Sequence, residues 1–281
     1  MTILQKNWSS ILGNLFTNVK SELTVSSPFI TDNGVNFLVK SVTKDFKEKG
    51  FLRIITNLSP GNIKQKSTNP FSFNKIYETI NLVQIFHLPN LHAKVYVRDN
   101  KEAIITSGNL TDGGLYKNFE YGISIVDGNI VKEVRNDLTD YGNLGTLLDR
   151  NSIQSLCNQF AYIYEKNNLI NDSDVIAIEN SLLQIKLSNA EKETKSEPIN
   201  SIFSKTVEYL LNKNGPLKVT EIHKFIQSIH PDLCIEDNRV CNGISYGSLW
   251  KHQVRSALVT LNRKNIVEHV SGRNGVWQII K

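Results

Sequence analysis

The chain has 281 residues, of which 40% are hydrophobic and 21% charged, as in ordinary globular proteins, and this length predicts about two domains. No run of about 18 apolar residues occurs, so no transmembrane helix is predicted, and the first residues lack the pattern of a secretory signal. The net charge of +5 lies entirely in residues 201–281, which hold eleven basic and six acidic residues. A basic module joined to a neutral one is typical of a separate phosphate-binding domain, although a chance surplus of surface lysines has the same appearance.

The first part of the chain alternates short apolar runs with amphipathic stretches, which predicts a mixed α/β domain. An amphipathic helix is expected at the N-terminus, another helical segment over residues 33–48, a polar loop over 62–74, and helices between 129 and 167. Strands are predicted over 22–30, 51–58, 82–88, 91–98, 102–106 and 119–126. Asp99 and Asn100, between two of these strands, are typical of a tight hairpin turn.

Two further regions follow the first domain, which we place at residues 1–170. Residues 171–200 are polar and charge-rich and are predicted to be a linker with one helix around 175–187. Residues 201–281 are predicted to contain helices over 202–212, 221–229 (capped by Thr220) and 248–264, a polar loop over 232–246, and strands over 266–270 and 275–280. Three helices followed by a β-hairpin are the pattern of a winged helix.

The cysteines give no sign of a disulfide framework or of a metal site. Cys157, Cys234 and Cys241 are an odd number without framework spacing, which favours a reducing, cytoplasmic compartment. Cys234 and Cys241 with His230 match no common zinc spacing and lack a fourth ligand. We therefore expect no metal, no other cofactor and no membrane association.

One segment concentrates side chains that suit phosphoryl chemistry. His92 and Lys94 are two positions apart on a predicted strand and therefore share one face of it. Without further residues nearby, this pair would be read as ordinary surface residues. An imidazole beside an ammonium suits attack on a phosphodiester, and Ser107 and Asn109 supply further donors to the phosphoryl oxygens. Glu120 is expected to accept a hydrogen bond from the other ring nitrogen of the histidine, which would fix its tautomer.

This segment resembles the HxKxxxxD(x)6GSxN signature of the phospholipase D superfamily, and the resemblance covers roughly residues 1–165. It implies a mixed sheet sandwiched by helices and metal-independent hydrolysis through a covalent phosphohistidine. The residues that carry it are His92, Lys94 and Asp99 at the motif's spacing, then Thr106 in place of the usual glycine, then Ser107 and Asn109. Glu120 resembles the acid that supports the histidine in the nuclease branch, and Asp99 is expected to be structural.

Family members use two HxK motifs that face each other, and this chain has one copy. His87, the other histidine before residue 223, has no lysine at the required place and is expected to be structural. The resemblance therefore implies a homodimer through the catalytic domain, with a composite active site on the two-fold axis.

The last domain looks like the winged-helix module of several bacterial restriction endonucleases. Trp250 and Trp277 are expected in its core. Direct contacts to double-stranded DNA are expected from Lys251, His252, Gln253, Arg255, Lys264 and Arg273. Alternatively, Arg255 pairs with an acidic residue and the domain mediates protein contacts.

These features favour a restriction-type endodeoxyribonuclease. The alternative is a low-specificity nuclease subunit of a bacterial defence system that works with a helicase or ATPase partner. A lipid-cleaving phospholipase is disfavoured by the single motif, the basic last domain and the lack of a membrane-binding amphipathic segment. A DNA-binding regulator without activity is disfavoured because His92, Lys94, Asn109 and Glu120 are all present.

Overall fold

The computed structural model describes residues 1–65, 67–167, 171–193, 197–241 and 244–280. The chain divides into two compact units, Met1–Leu182 and Leu183–Lys281. Within the described ranges, no helix has the length and apolar character needed to cross a membrane.

An eight-stranded mixed sheet forms the centre of the first unit. Its strands are β1 (Thr2–Leu4), β2 (Glu22–Ser26), β3 (Phe51–Thr56), β4 (Leu82–His87), β5 (Val95–Arg98), β6 (Glu102–Thr106), β7 (Gly122–Ile125) and β8 (Thr146–Leu147). Their order across the sheet is β1-β7-β6-β5-β2-β3-β4-β8; β2, β3 and β4 are parallel, and the other neighbouring pairs are antiparallel. The predicted mixed α/β fold of this unit is confirmed.

Helices flank this sheet because its central strands are apolar or buried on both faces. In β2, the four consecutive residues Leu23, Thr24, Val25 and Ser26 are all buried, which is typical of a strand between two layers. The helices of this unit are α1 (Trp8–Thr17), α2 (Asp32–Ser41), α3 (Lys44–Lys49), α4 (Pro60–Lys64), α5 (Phe71–Thr79), α6 (Gly128–Leu144) and α7 (Arg150–Asn167). The helices α1, α2, α5 and α7 pack in succession, whereas α6 packs across five of the strands.

Several predicted boundaries in the first unit are wrong. The helix predicted over residues 33–48 is two helices, because the Thr43 side chain accepts a hydrogen bond from Phe46 N and so begins α3. The loop predicted over 62–74 includes the end of α4 and the start of α5, and the strand β1 precedes the N-terminal helix. The strand predicted over 91–98 begins only at Val95, so His92 and Lys94 lie in the segment before it.

The predicted linker contains the 22-residue helix α8 (Asp172–Glu193), and the boundary between the units falls inside this helix. In the second unit, Lys186 Nζ donates to the carboxylate of Asp232 at 2.7 and 2.9 Å and to Nδ1 of His230 at 3.1 Å. Nε2 of His230 lies 2.7 Å from Thr206 Oγ1. Both ring nitrogens of this histidine therefore have protein partners. The side chain of Cys241, which the sequence analysis considered together with His230 as a zinc ligand, lies outside the described residues.

The second unit combines three more helices with a three-stranded antiparallel sheet. The helices are α9 (Pro198–Asn214), α10 (Val219–Ile229) and α11 (Leu249–Arg263), and the sheet has the order β12 (Val267–His269), β13 (Val276–Ile279), β9 (Leu217–Lys218). Trp250 and Trp277 lie in its core, as predicted.

Two details of this unit differ from the prediction. The segment predicted as a polar loop over 232–246 contains a two-stranded ribbon, β10 (Asn238–Cys241) and β11 (Ile244–Ser248). The helix α10 begins at Val219, not after Thr220. The Glu221 carboxylate accepts a hydrogen bond from Lys218 N at 2.8 Å and so provides an acceptor for a backbone N–H at the start of the helix.

Candidate active site

The candidate active site lies where the ends of three neighbouring strands meet. Lys94 immediately precedes β5, and its carbonyl oxygen accepts a hydrogen bond from Thr106 N, at the end of β6, at 3.0 Å. Thr106 in turn pairs with Gly122, at the start of β7. Because β5, β6 and β7 are antiparallel neighbours, the residues before β5, after β6 and before β7 share one edge of the sheet. Ser107 and Glu120 thereby reach the same edge as Lys94.

The predicted histidine and lysine contact each other directly. Lys94 Nζ lies 3.0 Å from His92 Nε2 and also donates to the carbonyl oxygen of His92 at 2.9 Å. An ammonium group only donates hydrogen bonds, so Nε2 is the acceptor, and the neutral ring carries its proton on Nδ1. The lone pair of Nε2 is therefore available for nucleophilic attack once the lysine turns to another acceptor. His92 itself is exposed, whereas Lys94 is buried.

Burial and a nearby negative charge have opposite effects on the pKa of Lys94. Burial lowers the pKa of its ammonium, because removal from water disfavours the charged form, and the negative charge of Glu120 raises it in part. The net result is a pKa below the ordinary value of a lysine. Glu120 thus helps to keep this lysine protonated.

Glu120 does not make the predicted hydrogen bond to His92 within the described part of the chain. Its carboxylate accepts hydrogen bonds from Ser107 Oγ and from Asn118 Nδ2, the latter at 3.0 Å. The Trp8 indole also donates to the Glu120 carbonyl oxygen at 3.2 Å and so fixes the backbone. The sequence analysis did not identify Asn118 as a site residue. An amide two residues before Glu120, in the same short loop, was a signal that could have identified it.

Asn109 presents an amide that the protein itself does not use. Its Oδ1 is buried and has no hydrogen-bond partner among the described residues. Gly114 packs so closely against the Asn109 backbone that a Cβ added at Gly114 would lie 2.2 Å from the Asn109 carbonyl oxygen. Tyr96 supports the same loop, because its hydroxyl donates to the Gly108 carbonyl oxygen at 3.1 Å. Oδ1 can only accept a hydrogen bond, so a phosphoryl oxygen would have to bind the Nδ2 donor of the same amide.

Thr106, which replaces the usual glycine of the motif, connects the two sides of the site. Its Oγ1 accepts from Gly108 N at 3.1 Å and donates to the Tyr121 carbonyl oxygen at 3.3 Å. Ser107 Oγ accepts a hydrogen bond from Tyr121 N at 3.0 Å. The hydroxyl at position 106 therefore stabilises the turn that carries Ser107.

Asp99 lies at the hairpin turn between β5 and β6, away from the cluster. It adopts a positive φ of 51°, and its carboxylate accepts hydrogen bonds from Ser21 N and Oγ at 2.8 Å, Glu22 N at 3.0 Å and Lys20 N at 3.2 Å. Burial raises the pKa of Asp99, but these bonds outweigh burial and hold its pKa below the ordinary value. His87 is also structural: it is buried, and its Nδ1 accepts from Leu58 N at 3.0 Å.

The residues predicted to contact DNA lie on two elements of the second unit. Lys251, His252, Gln253 and Arg255 lie in the first turns of α11, Lys264 directly follows this helix, and Arg273 lies in the turn between β12 and β13. Arg255, Lys264 and Arg273 are exposed, whereas the other three are half-buried. No carboxylate of the described residues lies within ion-pair distance of Arg255, and Lys251 Nζ lies 5.2 Å from the centroid of the Trp250 ring.

The segment that contains this site is similar to one known protein family. Residues 12–141 match the family model described as "Cardiolipin synthase, PLD-like domain". This segment is therefore similar to a phospholipase D-like domain. All five residues of the candidate site (His92, Lys94, Ser107, Asn109 and Glu120) fall inside the matched segment.

Solved structures give weaker similarities. Nuc from Salmonella typhimurium, a phospholipase D family member, is 18% identical with a TM-score of 0.43 over 51% of this chain and 94% of that chain. NucT from Helicobacter pylori is 12% identical with a TM-score of 0.38 (50% and 93%), and phosphatidylserine synthase from Haemophilus influenzae is 16% identical with a TM-score of 0.40 (58% and 45%). No significant match to a curated protein was found.

Proposed function

We propose that this protein is a restriction-type endodeoxyribonuclease that hydrolyses DNA phosphodiesters through a covalent phosphohistidine. The observation that carries the proposal is the hydrogen bond between Lys94 Nζ and His92 Nε2. The Nδ2 of Asn109 is proposed as a further, neutral donor to the phosphate. This arrangement supplies an unprotonated nucleophile, a cation and a neutral donor within one edge of a sheet. Those are the groups needed to attack a phosphodiester anion and to stabilise the charge that develops on it.

The chemistry proceeds in two displacements. In the first, His92 Nε2 forms a bond to phosphorus while the bond from phosphorus to the leaving oxygen breaks, and an acid protonates that oxygen. In the second, water attacks phosphorus, loses a proton to the same acid–base group, and the P–N bond breaks to restore the imidazole. Lys94 and Asn109 donate to the non-bridging oxygens throughout, so charge neutralisation does not call for a metal ion.

The acid that protonates the leaving oxygen is proposed to come from a second copy of the chain. His87, the other histidine of this unit, is buried and bonded to Leu58 N, so it cannot approach the same phosphate. His92 is exposed, which allows the imidazole of a second copy to reach the leaving oxygen from the opposite side. We therefore propose a homodimer through the catalytic domain, with one composite active site on its two-fold axis.

The second unit is proposed to be a winged helix that binds double-stranded DNA. Its support is the order of three helices and a β-hairpin, together with the exposed cations Arg255, Lys264 and Arg273 on the third helix and the hairpin turn. Arg255 would contact base edges, and the other two would contact phosphates.

A plasmid digest in the presence of EDTA, followed by sequencing of the cut ends, tests activity, metal independence and site selection together. We expect cleavage by the wild type, loss of at least about a thousandfold for His92→Ala and about a hundredfold for Lys94→Met. Lys101→Met, which removes an exposed lysine from the hairpin turn, is the matched control and should retain activity. Cleavage that requires added Mg²⁺ would contradict the mechanism, and cuts without a shared sequence would favour the low-specificity defence nuclease.

A further inference from the structure

A cleft of about 630 Å³ opens next to the candidate active site, and the catalytic cluster does not account for it. One wall is the segment between β1 and α1, which includes Lys6. The other wall follows the π-helix Gly113–Lys117 and reaches Glu120. The hydrogen bond from Trp8 Nε1 to the Glu120 carbonyl oxygen joins the two walls. A ligand in this cleft therefore lies beside the carboxylate that bonds Ser107.

The lining of the cleft is unusually aromatic for an exposed surface. Phe119, Tyr116 and Tyr121 have relative exposures of 105%, 60% and 53%, and all three line it. Among the residues whose side-chain exposure is described, only Phe71 and Phe225 are further exposed aromatic residues. The Tyr116 ring also packs edge-on against Phe37, at 6.4 Å between ring centroids, whereas the Phe119 ring is fully exposed. Exposed aromatic rings grouped at one place are the groups on which nucleic-acid bases stack.

Charge at the cleft favours a polyanion over an apolar partner. Lys6 and Lys117 both line it and are exposed, and neither forms an ion pair with a carboxylate in the described part of the chain. The one carboxylate that lines it, Glu120, already accepts hydrogen bonds from Ser107 and Asn118. Two unpaired ammonium groups beside exposed rings match the alternation of phosphates and bases along a nucleic-acid strand.

We propose that this cleft is a nucleotide-binding subsite, in which the base of an unpaired nucleotide next to the scissile phosphate stacks on Phe119. Lys6 and Lys117 bind the flanking phosphates, and Tyr116 and Tyr121 form the sides of the base pocket. The assignment rests on the proposed nuclease function for its substrate class. It adds that the enzyme binds a strand whose base is free to leave the helical stack, and that Phe119 is a binding residue.

The test separates the contact to the base from the contact to the phosphate. Fluorescence anisotropy measures how His92→Gln protein binds two oligomers. One is a thymidine dodecamer, and the other is a dodecamer of abasic deoxyribose phosphates with the same charge. Phe119→Ala in that background should weaken binding of the thymidine dodecamer about tenfold and change binding of the abasic one less than twofold. Lys117→Ala should weaken binding of both by the same factor. Phe71→Ala, which removes an exposed ring outside the cleft, should change neither.

Two outcomes would overturn the subsite. Phe119→Ala could weaken binding of both dodecamers equally, or it could convert a dimer into a monomer in light scattering, which would assign this surface to a second copy of the chain. Failure of the nuclease proposal has a different signature. In that case the wild type binds the thymidine dodecamer through Phe119 but leaves plasmid and oligonucleotide uncut.

Discussion

Lys94 Nζ lies 3.0 Å from His92 Nε2, so in the free protein the lysine binds the lone pair that attacks phosphorus in the proposed mechanism. A phosphoryl oxygen must replace the imidazole as the acceptor of this ammonium before the reaction begins. In the proposed mechanism, substrate binding and activation of the nucleophile are thereby the same event.

The charge of Glu120 should set the upper pH limit of the activity. Its carboxylate raises the pKa of Lys94 against the effect of burial. Glu120→Gln removes this charge, so the pKa of Lys94 falls further, and the alkaline limb of kcat/KM against pH moves to lower pH. Glu133→Gln, at an exposed position on α6, is the control and should leave the limb unchanged. An unchanged limb in Glu120→Gln would show that Lys94 does not titrate in the active enzyme.

Asp99 should stabilise the fold without taking part in the reaction. Asp99→Asn weakens the hydrogen bonds from Ser21 and Glu22, and we expect the free energy of unfolding to fall by about 1–3 kcal/mol at neutral pH. The folded pKa of Asp99 is lowered, so its stabilisation is complete above the unfolded pKa of about 3.9 and is lost as pH falls through the folded value.

Urea unfolding at pH 7 and at pH 3 checks the role of Asp99. The difference between wild type and Asp99→Asn should shrink at the lower pH. Asp45→Asn, which removes an exposed carboxylate paired with Lys49, is the control and should change stability little. A variant of Asp99 that unfolds like the wild type but has lost cleavage would contradict a structural role.

The hydroxyl of Thr106 should matter more than its methyl group. Thr106→Val leaves Gly108 N and the Tyr121 carbonyl oxygen without this partner, and we expect a loss of about 1–3 kcal/mol together with reduced kcat. Thr106→Ser keeps the hydroxyl and should retain most of both. Thermal unfolding and cleavage rates of the two variants give the comparison. Equal behaviour of valine and serine would mean that the bridge is unimportant.

The two members of the Lys186–Asp232 pair should differ in how much their removal destabilises the second unit. The side chain of Lys186 is 4% exposed and that of Asp232 is 29% exposed. Asp232→Ala leaves a buried ammonium without a counterion, at a loss of about 3–5 kcal/mol. Lys186→Met leaves a carboxylate that water can reach and removes the donor to Nδ1 of His230, at a smaller loss of about 1–3 kcal/mol. Urea unfolding followed by tryptophan fluorescence measures both, and a larger loss for Lys186→Met would reverse the argument.

Acid should destabilise the second unit from about pH 6.5 downward. Burial, followed by the charges of Arg255 and Lys251, lowers the pKa of His223 to about 4, and burial followed by Lys186 holds the pKa of His230 well below its ordinary value. The unfolded chain takes up these protons near pH 6.5, but the folded unit does not. Stability is therefore complete above that pH and falls as pH drops, by up to about 1.4 kcal/mol per pH unit for each histidine.

Unfolding measured between pH 8 and pH 4 tests this dependence. His223→Gln removes one of the two titrating groups and should flatten the dependence between pH 6.5 and about 4. His269→Gln, at an exposed position on β12, is the control and should leave it unchanged. A wild-type second unit equally stable at pH 7 and pH 5 would contradict the neutral state of both histidines.

The mixed sheet and the order of its strands along the chain could be predicted because short apolar runs report burial directly. The ends of elements could not, since capping contacts such as that of Thr43 to Phe46 depend on side-chain geometry and not on hydrophobic period. The first strand, three residues long and mostly exposed, carried too little apolar signal to be recognised. The helix α8 was underestimated because charged residues along it resemble a linker in composition.

The sequence alone determined which groups we propose to carry the chemistry, because HxK, the following serine and asparagine, and the downstream glutamate are identified by type and spacing. Only the tertiary structure decided how those groups are partnered. Antiparallel pairing of β5, β6 and β7 brings residues distant in sequence to one edge, and there Lys94 binds the histidine while Ser107 and Asn118 bind the glutamate. Partner choice depends on distances between separate segments, and residue spacing along a chain does not contain those distances.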